Sequence, residues 1–428
     1  MKQMIKKTSK KGVKKQTELI SKKNIIGLKN AKLTKIISII LMILVIIQPI
    51  MDALTYLQIR YNFNFLSISS LIRTLTFGMI ILYLLFTKDK RKEIWFLLIY
   101  FLVYLGLQAF LLNNGLSNSL NSILTIFYLP IIIIFLNRVD IDSKYFNLKI
   151  IMLTYLIYLN LIIVPYLFKY GNYAANFYEG KNGFYGLFYG GNEISNILVI
   201  MLPLVIEYLV KKKSYFLIGL TFIELLLCIY LVGTKTLILG SIIVSIYFLF
   251  KYLRPVYKKL DKKLKYLLWT LLIMLIISSI IILPKMAVTK NIIRAIEYYG
   301  FNLSNIFSLN GLDKLVFSGR LEILNKVNNL YLNSPLINVL MGLGKSYVNA
   351  FKGIEIDIFD IFFSIGIIGI LIYGYLCFKN IKGTKLKGIY LFTFILSIMI
   401  SLVTGHILNT PNVSIYVGLL FCLNKQEE

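Results

Sequence analysis

Long apolar stretches alternate with short polar breaks along almost the whole chain. Apolar runs lie near 33–56, 66–86, 94–112, 118–136, 149–168, 193–210, 214–232, 236–252, 266–284, 357–378, 387–404 and 406–423. Each meets or approaches the roughly 20 residues a helix needs to cross a hydrocarbon layer about 30 Å thick. Apolar positions are continuous within each run rather than alternating, which predicts helices and not barrel strands. The pattern therefore predicts an all-α polytopic membrane protein with about 12 transmembrane helices. The first run is too long for a cleavable signal, lacks a small-residue cleavage site and is followed by further spans. Four segments follow: a basic tail over 1–32, helices one to nine over 33–284, a large loop over 285–356 between helices nine and ten, and helices ten to twelve over 357–423.

Composition agrees with this class. The mean hydropathy is +0.76, and 58% of the 428 residues are hydrophobic, outside the range of a soluble globule. Cys228, Cys377 and Cys422 fall inside spans or at their ends. Their spacing suggests neither a disulfide framework nor a metal knuckle.

Charge adds an orientation. The formal net charge is +28, and positively charged short loops stay in the cytoplasm. With the N-terminus inside, the inner segments carry 34 of the 47 Lys and Arg and the outer segments 12. Both termini are then cytoplasmic, and the 285–356 loop is extracytoplasmic. The tail MKQMIKKTSKKGVKKQTELISKK reads as a disordered topogenic segment held near anionic lipid, at about 1 kcal/mol per basic residue. Nothing in it forms a nucleic-acid motif.

Two outer loops are long enough to expect function. Residues 169–192 are rich in Gly, Asn and Tyr. The 285–356 loop holds a helix-like piece at 318–334, and its Gly342-Leu-Gly344 marks a turn. No internal repeat is visible, whereas transporters often show related halves.

Charges at or within spans are functional candidates. Lys235 in LVGTKTLILG sits in a hairpin so short that it is placed at the outer surface. It is either a snorkelling lysine or part of a specific turn. Arg73 either pairs with Asp52 or faces a ligand. Glu224 lies deep in a span and calls for an internal partner, while Glu207 is placed to pair with the lysines that follow it. Arg320 offers a planar fork suited to phosphate, or a loop ion pair with Glu322 or Glu297. His406 is the single histidine, at the outer end of the last span.

The stretch GIEIDIFDIFFSIGIIG, 353–369, places Glu355, Asp357 and Asp360 at the mouth of an apolar run. Asp357 and Asp360 are three apart and share a helix face. Three readings stay open: caps at a helix N-terminus worth about 0.3–1 kcal/mol, a cation-chelating pair, and a general base beside cationic phosphate binders.

Together these features resemble the O-antigen ligase and polymerase family, the Wzy-like membrane glycosyltransferases of GT-C type. The resemblance rests on many spans with a large outer loop near the C-terminus, GTKT at 233–236, SGRLEI at 318–323 and the acidic mouth running into Gly366 and Gly369. It is specific over roughly 180–375. Ligases of the family carry a His-Asn pair eleven residues before the first of those glycines. Here that position is Glu355, as in capsule-type polymerases, and Lys235 stands where the family has Arg.

The resemblance implies an inverting glycosyl transfer at the outer face of a bacterial plasma membrane. Donor and acceptor would be polyprenyl-pyrophosphate-linked oligosaccharides, with membrane lipid and a chain-length regulator protein as further partners. Glu355, oriented by Asp357 or Asp360, would be the base. Arg320, Lys235 and Arg73 would hold the pyrophosphate, and Asn192, Asp360 and His406 would contact glycan. A neighbouring acid can raise a carboxylate's pKa into the range of a base. No cofactor is implied, and the acidic cluster leaves a divalent metal open. The alternatives are ligase-like transfer to another acceptor and a lipid-linked oligosaccharide flippase.

Overall fold

The computed structural model describes residues 32–63, 67–86, 91–111, 115–139, 141–176, 182–259, 261–262, 270, 283–299, 308, 311, 313–345, 348, 353–382 and 384–427. These residues are helical or irregular. The β-pairing among them is one isolated antiparallel bridge, Tyr173 to Phe184.

Eight long helices come first: α1 (Lys32–Arg60), α2 (Ile68–Phe86), α3 (Arg91–Gly106), α4 (Leu116–Arg138), α5 (Leu148–Leu167), α6 (Gly191–Lys211), α7 (Tyr215–Val232) and α8 (Lys235–Phe248). Between the eighth and the next long helix lie α9 (Ala287–Tyr299), α10 (Arg320–Leu332) and α11 (Leu336–Met341). Then come α12 (Asp357–Lys382), α13 (Gly388–Val403) and α14 (Pro411–Lys425).

Among the described residues nine helices are long and apolar enough to cross a membrane, where the hydropathy pattern predicts about twelve. The difference lies in three runs. Most of 266–284 is outside the described residues. The last two runs form α13 and α14, of 16 and 15 residues. At about 1.5 Å per residue, fifteen residues reach only about 22 Å. Two local causes shorten α14. Pro411 presets the first turn, and the N–H groups of 406–408 bond a side chain instead of continuing the helix.

Burial orders the bundle. In α4 and α6, 78% and 83% of the most apolar window is buried, against 28% in α1 and α2. A helix apolar all round belongs in the centre, so α4 and α6 form the inner wall together with α14, which is buried from Val413 to Asn424. One end of the bundle is rich in lysine, at Lys211–Lys213 after α6 and at Lys379, Lys382, Lys385 and Lys387 around the end of α12. The polar features below lie at the other end.

A break in α12 shapes that end. Gly366 has φ 67° and ψ −171° inside the helix. Such a backbone is open mainly to glycine, and the freed carbonyls need partners in an apolar setting. They have them. Leu343 N–H donates to the Phe363 carbonyl at 2.7 Å and Gly344 N–H to Ser364 at 3.1 Å. The Tyr104 hydroxyl donates to Ser364 at 3.0 Å. A side chain on Gly366 would meet the Gly342 nitrogen at 2.4 Å, so the glycine turn and the break fit only as a pair.

Candidate functional site

A cleft of about 440 Å³ lies at this end, formed by the ends or beginnings of α1, α2, α4, α6, α12 and α14. Its charged lining is Asp52, Arg73, Glu193, Lys345, Glu355, Asp360 and His406.

The three acids of the opening of α12 do three different things. Glu355 faces the cleft from a left-handed backbone, φ 56°. Its Oε2 accepts from Arg320 Nη2 at 2.5 Å and from Arg320 Nε at 3.2 Å. Arg320 is buried, and its Nη1 donates to the Val403 carbonyl at 3.0 Å. Asp357 is fully buried and holds the loop after α13: Oδ1 accepts from His406 N–H at 2.7 Å, and Oδ2 from Ile407 and Leu408 N–H, each at 2.8 Å. Asp360 Oδ1 accepts from Ile354 N–H at 2.9 Å and also lines the cleft.

His406 is thereby fixed opposite Glu355. Its backbone is also left-handed, φ 61°, a conformation that costs a non-glycine residue about 1–3 kcal/mol and clusters at functional sites. His406 Nε2 stands 3.7 Å from Glu355 Oε1, beyond hydrogen-bond length but close enough for charge attraction. Gly405 permits the approach, because a Cβ there would sit 2.6 Å from the Glu355 carbonyl oxygen. From α6, Asn196 Nδ2 donates to the Gly405 carbonyl at 2.8 Å.

Burial alone would lift the Glu355 carboxyl, but His406 and then Arg320 hold it down to about 2. For His406, burial works against the charged form, yet Glu355, followed by Glu193 and Asp357, raises its pKa above 6.5. The pair behaves as a fixed carboxylate beside an imidazole that gains protons easily.

The other residues singled out in the sequence are placed as follows. Arg73 lines the cleft and is ion-paired with Asp52, which also accepts from Ser69 Oγ at 2.7 Å. Lys235 begins α8 outside the cleft lining. It donates to the Leu315 carbonyl and, at 3.2 Å, to Ser318 Oγ, which ties it to the loop leading into Arg320. Asn192 is the second residue of α6, beside Glu193, and is not in the lining. Glu322 pairs with Lys314 and Lys326, not with Arg320. Glu207 accepts from Lys251 at 2.8 Å and stands 3.7 Å from Lys211. Among the described residues Glu224 Oε2 is buried without a hydrogen-bond partner. Among the described residues no group of three or more His, Cys, Asp or Glu is placed to hold a metal ion.

The site also contains residues that sequence reasoning missed: Lys345, Glu193, Asn409 and Asn412 line the cleft, and Asn196 supports the His406 loop. For Lys345 a signal existed, since it directly follows the Gly342-Leu-Gly344 turn.

Fold and site together define a multi-pass helical membrane protein with a charged cleft at one end of its bundle. The chain belongs to the O-antigen ligase like membrane protein family, which it matches over residues 34–304 and 309–423. That membership indicates an enzyme of membrane glycosyltransferase type. No curated protein and no solved structure matches the chain.

Proposed function

We propose that this protein polymerises polyprenyl-pyrophosphate-linked oligosaccharide units at the outer face of a bacterial plasma membrane. The observation that carries the reading is Glu355, gripped by Arg320 and facing His406 at the rim of the cleft. The cleft lies at the bundle end away from Lys211–Lys213 and the lysines around the end of α12, and by the positive-inside rule that end would be the outer one. Both termini are then cytoplasmic, and the fold would be of GT-C type.

In this reading the acceptor hydroxyl loses its proton to the Glu355–His406 pair. Glu355 is too weak a base to act alone at a pKa of about 2. It serves by holding the imidazole and stabilising the imidazolium that forms, as the carboxylate does in a Ser-His-Asp triad. The acceptor oxygen bonds to the anomeric carbon as the bond to the pyrophosphate breaks, which inverts that carbon in one displacement. Arg73 and Arg320, each paired with an acid, shape the field around the cleft, and Lys235 supports the Arg320 loop. Asp357 and Asp360 position the two loops, with Asn192 near the glycan path.

The energy comes from cleaving the bond between the sugar and its pyrophosphate leaving group, and a metal ion is not part of the proposal. An apolar groove of about 620 Å³, lined by Ile46, Leu153, Ile157 and Val164 among others, suits the lipid tail of the substrate. A chain-length regulator would act as a partner. A carrier would place its charges near the bilayer midplane, whereas those of this cleft collect at one end.

The test is Glu355→Gln in the producing cell, with membrane protein level checked. Single-unit glycans on the lipid carrier at normal protein level are expected. Polymer of wild-type length would sink the proposal, and units trapped inside the cell would point to a flippase.

A further inference from the structure

The cations around the cleft are not equivalent. Arg73 is neutralised by Asp52 and Arg320 by Glu355. Lys345 has no carboxylate within ion-pair distance among the described residues. Its Nζ donates to Thr125 Oγ1 at 3.0 Å and to the Asn409 carbonyl at 3.2 Å, both neutral. The nearby acids are otherwise engaged. Asp360 accepts from Ile354 N–H, Asp357 from residues 406–408, and Glu193 Oε2 from Asn412 Nδ2 at 3.1 Å.

A shielded ammonium without a counter-ion is costly. Burial pushes the Lys345 pKa below the ordinary lysine value, and Asp360, Asp357 and Glu193 offset only part of that. The backbone nevertheless fixes this side chain in place, through the Gly342–Gly344 turn bonded to the broken α12. It is therefore an ammonium set in a cleft wall with two neutral hydrogen-bond acceptors on one side and, among the described residues, no carboxylate paired to it.

We infer that Lys345 is the anion-binding cation of the cleft, and that its ligand is the pyrophosphate of the lipid-linked donor. This rests on the proposed function for the source of the anion, but not for the site. Thr125 and Asn409 aim the ammonium, leaving a donor for a phosphate oxygen. The two arginines, already paired, shape the field around it. A carboxylate on an acidic sugar shares the recognising chemistry and is the competing source.

The test uses the full chain in detergent, with inorganic pyrophosphate and glucuronate as separate probes in calorimetric titrations. Lys345→Met removes the charge at similar volume, and Lys345→Gln is the second variant if the first fails to fold. Thermal unfolding checks both. Pyrophosphate binding by the wild type, weakened at least about tenfold in the variant as expected for loss of one charge-assisted contact, supports the assignment. Glucuronate binding lost in the same way, without pyrophosphate binding, keeps the anion site and overturns its pyrophosphate ligand. Equal pyrophosphate affinity in wild type and variant, or no binding of either probe by the wild type, overturns the site. Normal polymer in Glu355→Gln cells alongside a lost pyrophosphate site would instead sink the polymerase reading alone.

Discussion

Replacing Asp357 by Asn changes few atoms and removes the clamp on His406. Two carboxylate oxygens accept three backbone N–H groups, one on Oδ1 and two on Oδ2. The amide of Asn offers one acceptor oxygen, so in either orientation at least one buried N–H meets another donor. In the better orientation Ile407 and Leu408 keep their acceptor and His406 N–H loses its own. A hydrogen bond to a charged group contributes about 1.5–3 kcal/mol, and the retained bonds fall to roughly half strength as the charge goes. Relief from burying a charge returns part of this. A net loss of roughly 2–4 kcal/mol is expected. The left-handed turn at His406 would relax first, because that strain persists only while its surroundings enforce it. The assay is thermal unfolding of the detergent-solubilised chain beside polymer length in cells, with Asp360→Asn as comparator. Asp360 accepts one N–H from Ile354, which an amide oxygen can still take, so its variant should lose much less. Equal midpoints and equal polymer in the two variants would refute the clamp.

Three further expectations concern pH and the broken helix. The His406 imidazole must be neutral to take a proton, so activity should rise with pH through a midpoint above 6.5, as rates in proteoliposomes from about pH 5.5 to 9 would show. The sign for stability is opposite: with its folded pKa raised, His406 stabilises fully below 6.5 and loses that contribution as pH climbs through the folded value. Glu355, with its pKa depressed to about 2, loses its contribution only as pH falls toward that value. Gly366→Ala forces a methyl group to 2.4 Å from the Gly342 nitrogen at φ 67°; accumulation in the membrane should collapse, and wild-type yield would contradict the paired-glycine account.

The helices were legible wherever an apolar run is long and continuous, because a bilayer imposes that length directly. The start of α14 was not, since its boundary is set by Asp357 reaching across from another helix. In the candidate site, Glu355 and His406 could be picked out at the ends of spans, and Arg320 as a cation in the large outer loop. Their meeting could not, because residues 35 and 51 positions from Glu355 come together only through the bundle. The division of labour among the three acids was also hidden: it depends on which backbone N–H groups each carboxylate finds. A left-handed backbone at Glu355 and His406 leaves no trace in the residue types. Lys345 was not singled out in the sequence, because the break at Gly366 that packs against its turn lies 21 residues away.

The Arg320–Val403 and Glu355–His406 contacts also set a schedule for the making of the protein. Chains emerge from the ribosome N-terminus first. Eleven of the fourteen named helices can be threaded before the acid at 355 exists, and that acid has no histidine to face until α13 is laid down. A nascent or truncated chain therefore carries the gripping arginine without the loop it closes on. The Glu355–His406 contact comes into being only as the last segment is inserted, so a half-built copy lacks it.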